Sequence, residues 1–166
     1  MMTNNSSPDR STEEFQDPLE NYDPKVYDDP LERALAEETV ATIQHKPLVT
    51  IPPDEPISAA VDRLAGLHVA CLLVEDQGRL VGVFSDRDVL DKVSLEYDEI
   101  KGRPVSDVMT VDPIYVNEDD SAAAALSVMA VGGFRHVPVL DMDNTLVGIV
   151  SPQRVTEFLR RHLVDD

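Results

Sequence analysis

A serine and an aspartate stand three residues apart where an apolar run gives way to polar residues, in Gly82-Val-Phe-Ser85-Asp-Arg-Asp88. This pattern is typical of a strand that ends at Phe84 and a helix that begins at Ser85. Two chemistries fit the spacing. Ser85 and Asp88 could cap the helix, each side chain satisfying a backbone amide. Alternatively, the Asp88 carboxylate could accept hydrogen bonds from both hydroxyls of a ribose, beside a helix end that favours an anionic ligand.

A second serine follows a second apolar run, but an arginine stands where the aspartate stood, in Ser151-Pro-Gln-Arg154. Proline at the first helical position and serine as N-cap suit a purely structural helix start. An arginine donates hydrogen bonds and accepts none, so Arg154 cannot hold ribose hydroxyls as a carboxylate does. We therefore expect Arg154 either to fill this second position or to contact a phosphate bound next to it.

Two adjacent basic residues, Arg135 and His136, are candidate cations in a strongly acidic chain. A guanidinium presents a fork of donors that matches phosphate oxygens. The chain has a formal net charge of -18, so a phosphate group would have to be held by a few local cations. The alternative is that these two residues form an ordinary surface pair at the edge of a strand.

These motifs lie in two similar halves of the chain. The segment from Cys71 to Ser85 matches the segment from Val137 to Ser151, and Gly82 matches Gly148 at a spacing of 66 residues. The segments upstream match at a spacing of 65, which a one-residue insertion near Gly132-Gly133 explains. The same glycine pair is expected to end a helix. An internal repeat of this length indicates two copies of one structural unit.

Each repeat is predicted to fold in the order β-α-β-β-α. In the first repeat we expect a helix at 56–65, a strand at 70–74, a turn at 76–78, a strand at 80–84 and a closing helix at 85–93. The corresponding pieces of the second lie at 120–130, 136–140, 141–145, 146–150 and 151–163. One repeat cannot bury both faces of its strands, whereas two repeats packed sheet to sheet can. The fold class is therefore α/β (α+β), with two pseudo-symmetric repeats in one domain.

The expected division of the chain follows from these boundaries. Residues 1–29 form an acidic, flexible tail, and residues 30–44 form a helix with Asp29 as N-cap and an apolar face from Leu31 to Ile43. The first repeat covers 45–100, a linker covers 101–113, and the second repeat covers 114–166.

The motifs taken together resemble those of tandem CBS domains, the paired arrangement called a Bateman module. The stretch 82–88 is similar to the family's Gly-hydrophobic-x-Ser/Thr-x-x-Asp motif. Val105 to Pro113 resembles its Asp-hydrophobic-Met-Thr linker, and Phe134 to Val139 resembles its basic, hydrophobic-Pro-hydrophobic strand. The resemblance covers about residues 44–165 and suggests a stand-alone CBS pair.

The resemblance implies a role for six residues around one adenosine nucleotide in a cleft between the repeats. They are Asp88 on the ribose hydroxyls, Ser85 near the ribose or phosphate, Arg135 and His136 at the phosphates, and Val83 and Ile114 flanking the adenine. The second cleft, with Ser151 and Arg154, would lack the carboxylate. We therefore expect one nucleotide per chain.

The function that follows is a regulatory sensor of AMP, ADP, ATP or a related adenosine compound. The chain has no P-loop, no His-Glu-x-x-His and no recognisable pair of nucleophile and base, so we predict no enzyme activity, no catalytic cofactor and no metal site. A scaffold or dimerisation module without a ligand remains the alternative, with the N-terminal segment binding an unknown protein partner. In either case the resemblance implies a homodimer, formed through helices that include Ala122 to Met129.

Charge and composition disfavour other partners. The acidic surface repels nucleic acid and anionic lipid, and no apolar run is long enough to span a membrane. The single cysteine, Cys71, lies in an apolar strand, so we expect a buried, inert thiol and a cytoplasmic location.

Overall fold

A computed structural model describes residues 25–46 and 48–163 of the 166-residue chain. Most of the predicted acidic tail, residues 1–24, lies outside the described residues. Helix α1 (Pro30–Glu37) begins as predicted, because the Asp29 side chain accepts a hydrogen bond from the Glu32 amide at 2.7 Å. No helix in the described part of the chain is both long and apolar enough to cross a membrane.

Helix α1 is shorter than its sequence predicts. The apolar face was expected to continue to Ile43, but the chain becomes extended at Glu38 and then forms a 3₁₀ turn, Val40–Thr42. The amide of Val40 donates to the carbonyl of Asp120 at 2.8 Å, in the second repeat. This tertiary hydrogen bond, together with the burial of Val40 and Ile43, takes the place of further helical turns.

The first repeat forms a four-stranded sheet in the order β1-β2-β3-β4 with helices against it. Its elements in chain order are β1 (Thr50–Ile51), α2 (Ile57–Leu67), β2 (Cys71–Asp76), β3 (Arg79–Ser85), α3 (Asp86–Asp88), a π-helical turn (Val89–Val93), α4 (Tyr97–Ile100), a 3₁₀ turn (Val105–Asp107) and β4 (Thr110–Val111). As predicted, β2 is central, and its residues 72–74 are buried. The predicted hairpin turn is also present, with Gln77 at φ 50° and Gly78 at φ 81°.

The second repeat forms a three-stranded sheet in the order β5-β6-β7. Its elements are β5 (Val116–Asn117), α5 (Ala122–Gly132), β6 (Val137–Leu140), β7 (Leu146–Val150) and α6 (Pro152–Leu163). Helix α5 ends at Gly133, which adopts φ 69° as the predicted glycine helix end requires. Between the repeats, Leu73 of the first sheet packs with Leu140 and Leu146 of the second, so the predicted sheet-to-sheet arrangement is confirmed.

Each repeat is completed by the segment that precedes the other repeat. Strand β4, in the linker to the second repeat, pairs with β3 and places Thr110 opposite Val83. In the same way His45, where the N-terminal segment meets the first repeat, forms a bridge with Ile149 of β7. The two pairings occupy equivalent positions, because Ile149 corresponds to Val83 in the repeat.

We call residues 40–45 and the linker, residues 101–113, the crossing segments, because each packs on the repeat that it does not precede. Their close approach explains the repeated glycines. A side chain at Gly82 would collide with the Met109 sulfur and approach the Thr110 carbonyl, and one at Gly148 would collide with Gln44. Both glycines therefore allow the crossing segment to lie directly against the strand. The crossing segments also fill the cores, since Val105 packs in the first repeat and Val40 in the second.

Core residues of the crossing segments should therefore contribute to stability as strongly as core residues of the repeats. Val40 and Val105 are both 0% exposed. We expect Val40→Ala and Val105→Ala each to lower the free energy of unfolding by about 2 kcal/mol, because two buried methyl groups are lost and a cavity remains. Urea denaturation followed by circular dichroism would measure this.

Val26→Ala is the matched control, since Val26 is 89% exposed and its loss should change stability by less than about 0.5 kcal/mol. A Val40→Ala variant as stable as this control would contradict the structural role assigned to the crossing segment.

Candidate functional site

A cavity of about 570 Å³ lies between the repeats, within the range of small-molecule sites. It is bounded by the end of β3, the start of α3, the linker and the segment before β6. All six residues predicted to surround a nucleotide line this cavity: Val83, Ser85, Asp88, Ile114, Arg135 and His136. The fold thus brings together residues that are up to 53 positions apart in the sequence.

Ser85 and Asp88 form the capping box that their spacing allows. The Ser85 hydroxyl accepts from the Asp88 amide at 3.4 Å, and the Asp88 carboxylate accepts from the Ser85 amide at 2.9 Å. The same two residues line the cavity. Capping and a place in the cavity wall therefore coexist, so the cap by itself does not exclude the ligand-binding role that the sequence also predicts.

The Asp88 carboxylate is buried and accepts four hydrogen bonds. Oδ2 accepts from the Ser85 amide and hydroxyl, at 2.9 and 2.7 Å. Oδ1 accepts from Lys92 Nζ at 2.7 Å and from Thr110 Oγ1 at 2.9 Å. A carboxylate offers about four acceptor positions, so all of them are occupied in this state.

These donors keep the carboxylate ionised. Burial by itself would raise the pKa of Asp88, but the hydrogen bonds from Lys92, Ser85 and Thr110 together lower it below its ordinary value. Asp88 is thus a negative charge at neutral pH, with an ammonium group already in contact with it. Because Ser85 holds Oδ2 through the helix cap, a ribose diol could bind this carboxylate by taking the place of the Lys92 and Thr110 donors at Oδ1.

Lys92 and Thr110 were not among the residues selected from the sequence. Lys92 stands four residues after Asp88, which places both on one side of a helical turn. Its ammonium also donates to the Val108 carbonyl at 2.9 Å, so it joins the closing helix of the first repeat to the linker. Thr110 belongs to the recognised linker motif, but nothing in the local sequence pairs it with Asp88.

Arg135 and His136 lie where the first cavity adjoins a second one, and both line the two cavities. Burial and the neighbouring Arg135 charge lower the pKa of His136 below its ordinary value. His136 is therefore a neutral hydrogen-bonding group at pH 7. Arg135, which is exposed, supplies the permanent positive charge of this pair.

The first cavity also has an acidic side that the sequence interpretation omitted. Asp86, Asp91 and Asp112 line it in addition to Asp88. The charge of Asp91 is partly balanced by Arg87 at 3.4 Å. No group of three or more potential metal ligands occurs among residues 25–46 and 48–163.

The second cavity measures about 440 Å³ and contains both Ser151 and Arg154, as expected for the second cleft. One guanidinium nitrogen of Arg154 lies 2.6 Å from His45 Nδ1, and the other donates to Glu157 at 2.8 Å. His45 precedes Thr110 by 65 residues, the spacing of the upstream repeat. The Arg154–His45 contact therefore occupies the position that Asp88 and Thr110 hold in the first cavity.

Cys71 lies in the wall shared by the two cavities. Burial, and to a smaller degree the charges of Asp88 and Asp86, raise the pKa of its thiol to about 12. The sulfur is therefore protonated at neutral pH and is a poor nucleophile.

Comparison with known proteins places this geometry in a family. The model of the CBS domain family matches residues 40–95 and 105–161. The Arabidopsis thaliana protein CBSCBSPB5 is 36% identical over 106 residues, which are 63% of this chain and 19% of that protein. The chain thus spans about a fifth of the length of this relative. The Bacillus subtilis protein YhcV is 32% identical over 108 residues, 63% of this chain and 73% of YhcV.

Solved structures show the same fold. CBSX2 from Arabidopsis thaliana, described as a CBS-pair protein, aligns with a TM-score of 0.69 and 25% identity over 78% of this chain and 99% of CBSX2. A structure of CBSX2 in complex with AMP aligns with a TM-score of 0.67 and 28% identity, over 75% and 97% of the two chains. Two tandem matches that together span more than half of the sequence, on a fold shared with CBS-pair structures, show that the chain belongs to the CBS domain family and forms a Bateman module.

Proposed function

We propose that this protein is a regulatory module that binds one adenosine-containing nucleotide in the first cavity and catalyses no reaction. The observation that carries the proposal is the buried Asp88 carboxylate in a cavity that also contains Arg135. One group accepts hydrogen bonds from a ribose diol and the other donates to phosphate oxygens. The AMP complex of the related CBSX2 supports this choice of ligand.

The proposed pose follows from the cavity wall. The adenine ring lies between Val83 and Ile114, and the ribose hydroxyls bind Asp88 next to Ser85. The phosphates extend toward Arg135 and His136. Ile114 is 51% exposed, so apolar surface is available there for a ring to cover.

Ligand binding at Asp88 is proposed to act through Lys92. In the state described here, Lys92 connects Asp88 with the carbonyl of Val108 in the linker. A ribose that takes over Oδ1 breaks the first of these bonds and releases the ammonium group from the carboxylate. Because the two states differ in this contact between helix and linker, a ligand that prefers one of them shifts the population toward it.

A ligand-free scaffold is the second candidate, and one observation favours it. Groups of the protein itself, on Ser85, Lys92 and Thr110, donate to all the acceptor positions of Asp88, as a purely structural cap would require. On this view the protein acts through protein partners, and the cavity has no physiological occupant.

We also propose that two chains associate through the apolar helices. Apart from the exposed Ser127, helix α5 consists of apolar residues, yet only Ala122 and Ala125 are fully buried in it, and Val131 is 90% exposed. Helix α1 covers one side of α5. A second copy of the chain is the proposed occupant of the remaining apolar surface, because the small alanine side chains permit close helix packing.

Val131→Glu should disrupt this homodimer, because it places a charge in the proposed apolar contact. Light scattering at micromolar concentration should give twice the mass of one chain for the unmodified protein and one chain mass for the variant. Leu95→Glu is the control, since Leu95 is 97% exposed in the first repeat and should leave the dimer intact. A monomer mass for the unmodified protein would refute the assembly.

Asp88→Ala should weaken binding of AMP or ATP roughly ten- to a hundredfold, because two ligand hydroxyls lose their acceptor. Titration calorimetry measures the affinity. Thermal unfolding supplies a second reading, because a nucleotide at 100 times its dissociation constant should stabilise the unmodified protein by about 2.7 kcal/mol.

The control for Asp88→Ala is Ser121→Ala, which removes a helix cap far from the cavity. Ser121 accepts from the amide of Ala124 at 3.2 Å at the start of α5. Ser121→Ala should lose about 0.5–2 kcal/mol of stability and Asp88→Ala at least as much, but only Asp88→Ala should lose affinity. Equal affinities in the two variants, or no stabilisation by any adenosine compound, would favour the scaffold.

Lys92→Met should strengthen binding of adenosine about three- to tenfold, because the nucleoside no longer competes with an ammonium group for Oδ1. Adenosine is the appropriate probe, since it has no phosphate that Lys92 could attract. Lys101→Met is the control, because Lys101 pairs with Asp98 on α4 at 3.0 Å in a comparable exposed position. Weaker adenosine binding by Lys92→Met would show that Lys92 supports the ligand instead of competing with it.

A further inference from the structure

The two cavities differ sharply in the charge of their walls. Four aspartates line the first cavity together with three cationic residues, Arg87, Lys92 and Arg135. Within residues 25–46 and 48–163, no acidic side chain lines the second, and its permanent positive charges are Arg135 and Arg154. In a chain of net charge -18 this concentrates positive potential at one place.

The repeat shows how this difference arises at equivalent positions. Arg154 replaces Asp88, and His45 replaces Thr110. The position of Lys92 is taken by Phe158, which is fully buried. The second cavity thus keeps the crossing geometry of the first, but its acceptor for ribose hydroxyls has become a cationic donor.

Arg154 retains donors for a ligand. A guanidinium has five N–H groups, and the structure assigns one contact to His45 and one to Glu157. His45 Nδ1 must accept in this contact, because arginine has no acceptor. The start of the twelve-residue helix α6 lies in the same wall, where the positive end of the helix dipole favours negative charge.

We propose that the second cavity is a binding site for a phosphate-type anion, held by Arg154 and Arg135, and not a second nucleoside site. This inference goes beyond the proposed function and does not require a nucleoside in the first cavity. Arg135 and His136 line both cavities, so phosphates of a nucleotide in the first cavity can also reach the second. The anion can therefore come from two sources. It is either free in solution or the terminal phosphates of a nucleotide whose ribose lies on Asp88.

Inorganic tripolyphosphate is the probe, because it carries the phosphate chemistry without a nucleoside. In titration calorimetry at low ionic strength, it should bind the unmodified protein at one site per chain. Arg154→Gln should weaken binding roughly tenfold, through the loss of a charge-assisted contact. Arg154→Lys should retain more of the affinity, and its melting temperature would check that the region remains folded.

A second variant should act in the opposite direction. Glu157 pairs with Arg154 at 2.8 Å and offsets its charge. Glu157→Gln removes this competing anion and should strengthen tripolyphosphate binding about threefold. The charge-matched controls are Arg160→Gln, farther along α6, and Glu99→Gln, on α4, both at exposed positions. Each should change the affinity less than the variant that it matches.

Comparison of ATP with AMP identifies the source of the anion, and this arm rests on the proposed function. If terminal phosphates reach the second cavity, Arg154→Gln should reduce the preference for ATP over AMP. If the anion binds independently of the nucleotide, Arg154→Gln should leave the preference for ATP over AMP constant while tripolyphosphate binding is lost.

The two proposals fail in different ways. Undiminished tripolyphosphate affinity in Arg154→Gln, no tripolyphosphate binding, or two adenosine molecules per chain would overturn the anion site. Tripolyphosphate binding that Arg154→Gln weakens, in a protein that binds no adenosine compound, would support the anion site and leave the proposed nucleotide sensor without support.

Discussion

The structure depends on one constraint: neither repeat can close its core with its own residues. Val105 of the linker fills the first core, and Val40, from before the first repeat, fills the second. Each crossing segment also adds a backbone pairing to a sheet of the repeat it completes. Gly82 and Gly148 permit these contacts, so the glycines that mark the repeat are positions where a side chain would exclude the crossing chain.

Both cavities lie beside these crossings, and this explains why they differ while the fold is the same. The crossing segment presents Thr110 to Asp88 in the first cavity and His45 to Arg154 in the second. Hydrogen bonding reverses direction between the two: a carboxylate accepts in one, and a guanidinium donates in the other. The backbone pairing beneath is unaffected, because it does not use these side chains. A pseudo-symmetric fold can therefore offer two chemically different sites.

Apolar runs and spaced glycines are local signals, and they predicted the repeat and the order of elements. The resemblance to CBS domains supplied the six candidate residues that line the first cavity, but not Lys92 or Thr110. The sequence did not reveal where α1 ends, since that depends on a hydrogen bond from Val40 to Asp120, 80 residues away in the chain. The sequence also could not predict that all acceptor positions of Asp88 are occupied, because one donor, Thr110, lies in the linker, 22 residues away. His45 could have been found: the 65-residue spacing that aligns the upstream segments aligns it with Thr110.

A capping aspartate and a ribose-binding aspartate place different demands on the same carboxylate, and Lys92 reconciles them. An ionised carboxylate buried without partners would be costly, so a site waiting for a ligand needs temporary donors. Ser85 holds Oδ2 through the cap, whereas Lys92 and Thr110 hold Oδ1 from groups that can move away. Part of the binding free energy must then go into separating Lys92 from Asp88. In the proposed sensor, that exchange makes binding weaker than the contacts alone would allow, and it also transmits occupancy of the cavity to the linker.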